Sequence, residues 1–171
     1  MQNHHPLHLD KGFTYLAILF AIAMMGIALA AAGSLWHISQ QREKERELLY
    51  IGNQYRQAIT LYYERSPGGS KQFPKSLENL LQDNRQLVPQ HYLRKLFRDP
   101  ITNSKTWGLV TGPGNSIMGV YSLSEDTPIK QGSFDKSDLV FTGAQHYSDW
   151  KFVYVIQTPL GLPVQGFPAL K

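Results

Sequence analysis

The feature that most constrains this chain is a run of 24 residues, 13–36, reading FTYLAILFAIAMMGIALAAAGSLW, without one charged side chain. Coiled as a helix it measures about 36 Å at ~1.5 Å per residue, against roughly 30 Å of bilayer hydrocarbon. Nine of its residues are Leu, Ile or Phe. At about −0.3 to −0.6 kcal/mol each, they favour insertion by about 3–5 kcal/mol, with the alanines near neutral. One buried charge costs about 2.5–3.5 kcal/mol and would cancel most of that gain, so the missing charge is what makes the run competent to enter lipid. A helix buried in a soluble core has no need of such length. Two readings then compete. Lys11, the run from Phe13 and Ala28-Leu29-Ala30 parse as the three regions of a cleaved secretory signal. In the other reading the run is kept and only the residues ahead of it are removed.

Lys11-Gly12-Phe13-Thr14 decides between them. A short leader ending in a basic residue and glycine, placed before an uncharged helix, resembles the class III signal of type IV prepilins and type II secretion pseudopilins. Leu16 matches that pattern too, and Gly26-Ile27-Ala28-Leu29-Ala30 falls at the family's distance. The resemblance implies that a prepilin peptidase cuts between Gly12 and Phe13, that Phe13 becomes N-methylated, and that the hydrophobic helix carrying Phe13, Leu16, Ala17, Gly26 and Trp36 is retained. It further implies a single-pass protein of the bacterial inner membrane, N-terminus cytoplasmic and C-terminal domain periplasmic. Its implied partners are the lipid bilayer, an inner-membrane assembly platform, and other pilins or pseudopilins met through helix packing, in a filament that supports protein secretion. The family's usual glutamate falls at Ala17. A carboxylate there would meet the amine of a neighbouring subunit, and alanine cannot, so the resemblance points to a minor rather than a major subunit.

Counting Lys and Arg alone gives the opposite topology, because Arg42, Lys44 and Arg46 outnumber Lys11. The peptidase acts on the cytoplasmic side, so the resemblance is followed here. Glu43, Glu45 and Glu47 interleave with those cations and leave the neck without net charge. Over 171 residues the formal charge is +4 and there is no cysteine. The mild basic excess is too diffuse to specify a nucleic-acid partner. Without thiols there is no disulfide framework, thiolate metal site or thiol nucleophile, and the domain must be held together by packing.

Beyond the run the helix is expected to continue. Arg42 to Glu47 alternates in sign, with Arg42–Glu45 and Lys44–Glu47 at i,i+3 on a solvated surface. Leu48, Ile51, Tyr55, Ala58 and Tyr62 then recur at spacings of three and four, an apolar stripe that predicts packing on the domain's own sheet. Ser66-Pro67-Gly68-Gly69 should stop the helix. Ser76 is a candidate N-cap for a short helix bearing Leu77, Leu80 and Leu81. Tyr92 to Pro100, YLRKLFRDP, resembles the basic-apolar loop that ends in Asp-Pro before a pseudopilin's sheet.

The segments 106–110 and 117–121 flank Gly112-Pro113-Gly114-Asn115, a hairpin signal. Leu139-Val140-Phe141 also has strand character, and Trp150 to Ile156 is the strongest strand candidate. Gly161 to Pro168 reads as an irregular tail. The expected architecture is α+β and pilin-like: a long N-terminal transmembrane-plus-amphipathic helix on an antiparallel sheet of three or four strands. Its expected parts are a leader over 1–12, a membrane and filament-core helix over 13–36, an amphipathic continuation over 37–65, and a periplasmic globular domain over 66–171.

Chemistry is sparse. By the resemblance, the segment from Tyr121 through Asp126 lies where major pseudopilins carry a calcium loop; Glu125, Asp126, Asp135 and Asp138 are the nearby carboxylates, but Lys130 and Lys136 interrupt them and no Asp-x-Asp spacing appears. Solvated turn acids are the expected reading, with calcium as the sharper alternative and no other cofactor. Gly112-Pro113-Gly114 lacks the third glycine of a dinucleotide fingerprint and precedes a strand. Ser116 is in no G-x-S-x-G elbow. His146, Ser148 and Asp149 are sequence neighbours, whereas triads are assembled across a fold. His4, His5 and His8 fall in the leader. No enzyme is expected. The alternative function is a minor pilin that acts as a binding module, taking DNA on Lys71, Lys75, Arg94, Lys95 and Arg98 beside Tyr92.

Overall fold

The computed structural model describes the backbone of residues 11–154 and the side chains of 13–29 and 36–154. The fold is α+β. Among the described residues one α-helix, α1 (Lys11–Glu64), is followed by three strands, β1 (Gly108–Gly112), β2 (Ser116–Tyr121) and β3 (Phe152–Val153), in one antiparallel sheet of order β1-β2-β3. Short 3₁₀ turns punctuate the connections. The chain divides into two compact units, Met1–Gln41 and Arg42–Lys171.

The second unit holds the core. On the part of α1 that belongs to it, Leu48, Ile51, Tyr55, Ala58, Ile59 and Tyr62 are all buried and cluster with Trp107, Ile117, Val120 and Phe152. The stripe read from spacing is therefore the face that packs on the domain's own sheet. α1 ends at Glu64, and Gly68 and Gly69 take φ of 72° and 73°, a left-handed backbone that glycine adopts without steric cost.

The hairpin forms with its turn at Pro113–Asn115, where Gly114 and Asn115 have φ of 66° and 56°. Gly108 pairs with Tyr121 and Val110 with Gly119, and the register shifts between Val110 and Thr111. β3 pairs Val153 with Gly119 and Phe152 with Val120. Its approach to α1 is tight: a Cβ built on Gly52 would lie 2.4 Å from the ring of Phe152. Trp150, Phe134, Phe141 and Tyr147 complete an aromatic cluster, with Phe141 stacked on Trp150 at 5.7 Å and Tyr147 edge-on to it at 5.5 Å.

Two expectations need correction. Leu139–Phe141 is a 3₁₀ turn, not a strand, and only Phe141 is buried while Leu139 and Val140 face solvent. The strong strand candidate begins its strand at Phe152 rather than Trp150: among the described residues Phe152–Val153 forms β3, and the Tyr154 N–H donates to Met118 O of β2 at 2.9 Å; Val155 and Ile156, like the tail at 161–168, lie outside the described residues. The short helix after Ser76 forms over Leu77–Leu80 with Ser76 at its N-cap, as a 3₁₀ turn in which Asn79 Oδ1 accepts the Ser76 N–H at 3.0 Å. Four residues are too few to propagate an α-helix, and the tighter turn suits so short a piece.

Candidate functional surface

Within the first unit the side chains of 13–29 are all exposed. They include Phe13 (74%), Leu16 (65%), Phe20 (68%) and Leu29 (64%), so apolar surface covers the helix on every side rather than as a stripe. Ala17 sits among them, and a Cβ on Gly26 would meet nothing within 4 Å. Trp36 is 70% exposed. Among the described residues no helix is long and apolar enough to cross a membrane. The uncharged stretch whose side chains are described, 13–29, spans about 26 Å at ~1.5 Å per residue, short of roughly 30 Å of hydrocarbon. Residues 30–35 of the expected span have side chains outside the described set. Lys11 and Gly12 open α1, so the expected Gly12–Phe13 cleavage bond falls in its first turn; the rest of the leader, with His4, His5 and His8, lies outside the described residues.

The neck departs from the sequence reading. Glu45 is not a solvated member of an alternating surface: it is 2% exposed and turned into the domain. Its Oε1 accepts the backbone N–H of Ile129 at 2.6 Å and the Tyr147 hydroxyl at 2.9 Å, and its Oε2 accepts the Lys130 N–H at 3.2 Å. An Arg42–Glu45 pair would leave those donors unsatisfied, which is why the carboxylate faces inward. The ion pair the neck does make is Arg46 with Glu43, both well exposed.

Other buried charges fix the remaining loops to α1. Arg56 pairs with Asp138 at 2.7 Å, and Asn53 donates to the same carboxylate at 2.7 Å. Asp83 is gripped by Arg85 through Nε at 2.8 Å and NH2 at 2.7 Å, with the Tyr92 hydroxyl donating at 3.2 Å. The Arg85 guanidinium holds the Asp83 carboxyl below the usual carboxylate range, against the opposing effect of burial. Burial, reinforced by Asp83, pushes the Tyr92 phenol up. Asp99, fully buried, accepts from Ser122 Oγ at 2.7 Å, Thr102 Oγ1 at 2.8 Å and the Ile101 N–H at 2.9 Å, so the Asp-Pro turn is a structural joint. The segment before it is held by Tyr55, whose hydroxyl accepts the Phe97 N–H at 2.9 Å, and by Trp107, whose Nε1 donates to Phe97 O at 2.9 Å.

The chemical candidates are dispersed. Of the four acids considered for calcium, Asp138 is consumed by Arg56, Asp126 accepts from Ser124 Oγ at 3.0 Å, and Glu125 and Asp135 are exposed. Among the described residues no group of three or more His, Cys, Asp or Glu could hold a metal ion. His146 and Asp149 cap a 3₁₀ turn (Tyr147–Asp149): Asp149 Oδ2 accepts the His146 N–H at 3.0 Å, and His146 Nδ1 lies 2.6 Å from Glu125 O. Of the cations considered for DNA, Lys71 bonds to Glu64 O, Arg98 donates to Asn103 O at 3.1 Å, and Lys95 lies 5.3 Å from the Phe97 ring centre. Tyr92 stands edge-on to Tyr62 at 5.8 Å, its hydroxyl bonded to Asp83. Compared with known proteins, the chain matches no family model, no curated protein and no solved structure.

Proposed function

We propose that this chain is a pilin-like subunit, a minor pseudopilin of a type II secretion or related filament, anchored by 13–36 in the bacterial inner membrane and serving assembly rather than catalysis. One observation carries the reading. The uncharged run introduced by Lys11-Gly12-Phe13-Thr14 belongs to the same 54-residue helix as a segment whose apolar stripe is the core of a folded domain. A cleaved signal has no reason to be continuous with a core helix, because its removal would leave the domain to begin in mid-helix. A retained anchor does. In a filament, packing between helices would replace lipid contacts without disturbing backbone hydrogen bonds, which an α-helix satisfies within itself.

The test is the mature N-terminus. Mass spectrometry is expected to find the chain beginning at a methylated Phe13 in carbonate-washed membranes, with Gly12→Ala accumulating as uncleaved precursor. A mature protein that starts near Gly33 in the soluble fraction overturns the proposal.

A further inference from the structure

An open cavity of about 410 Å³ in the second unit is lined by Arg42, Arg46 and Lys130 with Ile129 and Glu45. Three cations thus face one space whose single carboxylate is spent, because Glu45 is already bound by two backbone N–H groups and the Tyr147 hydroxyl. Among the described residues Arg42 makes no ion pair or side-chain hydrogen bond. Arg46 is tied only to the exposed Glu43, a pairing worth little against solvent. Lys130 is positioned by Ser133 O at 3.0 Å and by the Phe134 ring at 5.0 Å, which orders its stem while two of its three N–H donors stay available. Ile129, half-buried, supplies an apolar wall. Two guanidiniums and an ammonium around such a space match the oxygens of a phosphate diester, to which arginine binds in bidentate fashion.

We infer that this pocket holds the phosphate of an anionic phospholipid headgroup. The inference rests on the anchored reading above. In sequence only five residues separate Trp36, the last of the uncharged run and an aromatic of the kind that settles at the membrane interface, from Arg42. The lipid source is chosen over free phosphate because the pocket combines cations with an apolar wall and follows the run that would enter the bilayer.

The full chain, reconstituted into vesicles of neutral phosphatidylcholine, is first washed with carbonate; retention tests the anchor by itself. The same chain in neutral micelles with equimolar phosphatidylglycerol and phosphatidylcholine is then released into a native mass spectrometer. One retained phosphatidylglycerol per chain is expected. Each cation near an anionic headgroup is worth roughly a fivefold preference, so Arg42→Gln/Arg46→Gln/Lys130→Gln should lower that preference by tenfold to a hundredfold, on the order of three such factors partly offset by Glu43. Lys71→Gln/Lys75→Gln/Lys105→Gln, equal in charge and exposed elsewhere, should leave it unchanged. Membrane retention without any phosphatidylglycerol preference, or a preference that survives the first triple variant or falls equally in the second, overturns the inference and leaves the anchor standing. Displacement by millimolar inorganic phosphate assigns the pocket to free phosphate instead. Loss of the chain from washed vesicles overturns both.

Discussion

Replacing Glu45 by alanine removes an acceptor that three donors share: Ile129 N–H at 2.6 Å, Lys130 N–H at 3.2 Å and Tyr147 Oη at 2.9 Å. A hydrogen bond to a charged group contributes about 1.5–3 kcal/mol, and a buried donor left unmatched costs about 1–3 kcal/mol. Ile129 and Lys130 are only half-buried, so water can reach their amides once the side chain is gone and recover part of the loss. The expected net destabilisation is about 3–5 kcal/mol, which lowers the unfolding midpoint by roughly 10 °C for a chain of this size. Glutamine keeps the shape but turns an NH₂ group toward one of the N–H donors, and should lose about half as much. Glu43→Ala, at an exposed pair two residues away, should stay within about 0.5 kcal/mol of wild type. Urea unfolding of the full chain in neutral micelles, followed by tryptophan fluorescence, measures all three variants. Hydrogen exchange at the amides of 129 and 130 reports the contact directly and should accelerate in Glu45→Ala. Equal stabilities for Glu43→Ala and Glu45→Ala, or unchanged exchange at those amides, would refute the reasoning.

Gly52→Ala normally gains about 1 kcal/mol of helix propensity; here the added Cβ meets the fully buried Phe152 ring at 2.4 Å, and a net loss of about 1–2 kcal/mol in thermal unfolding is expected, with a gain sinking the claim of close packing. Asp83 titrates lower folded than unfolded because Arg85 bonds its charged form, so its contribution is fully present above the unfolded carboxylate value of ~3.9 and is lost as pH falls through the folded value. Asp83→Asn should therefore destabilise by about 2–4 kcal/mol at neutral pH and flatten the acid limb of the stability curve below about pH 4, and an acid limb of unaltered slope would count against the assignment.

Local signals were enough for the elements whose residues agree with their surroundings. The hairpin follows from Gly-Pro-Gly-Asn between apolar segments, because left-handed backbone is wanted where glycine and asparagine stand. The stripe from Leu48 to Tyr62 follows from a period that only a helix can present to one partner. The inward turn of Glu45 was not legible, since nothing near it in sequence names Ile129, Lys130 and Tyr147 as its donors. Those partners lie 84 to 102 residues away and exist only once the domain has closed. The same holds for Leu139–Phe141 and for Trp150, which lie outside the sheet: Phe141 and Trp150, residues that would suit a strand, stack on each other in a buried aromatic cluster instead. Residue type reports what can be buried; long-range partners decide what is.

The two parts of α1 obey different rules of burial, and this sets what each can do. Between Phe13 and Leu29 eleven large apolar side chains are at least 45% exposed. Fully covering such a side chain is worth about 1.5–3 kcal/mol, so covering the exposed fraction of eleven is worth on the order of 10–20 kcal/mol, as much as or more than the whole stability of a typical domain. So large a gain favours a cover, and among the described residues every buried apolar side chain lies at Leu48 or beyond, in the second unit. In the proposed role lipid and neighbouring helices supply that cover in turn. With alanine at position 17 no carboxylate has to be desolvated in the exchange, which removes a cost but also removes a directional partner. Dispersion between apolar helices is nearly indifferent to which neighbour provides it. In that proposed role, selection of the right neighbour would come from groups with direction and charge, which the folded domain carries in Arg42 to Glu47 and beyond.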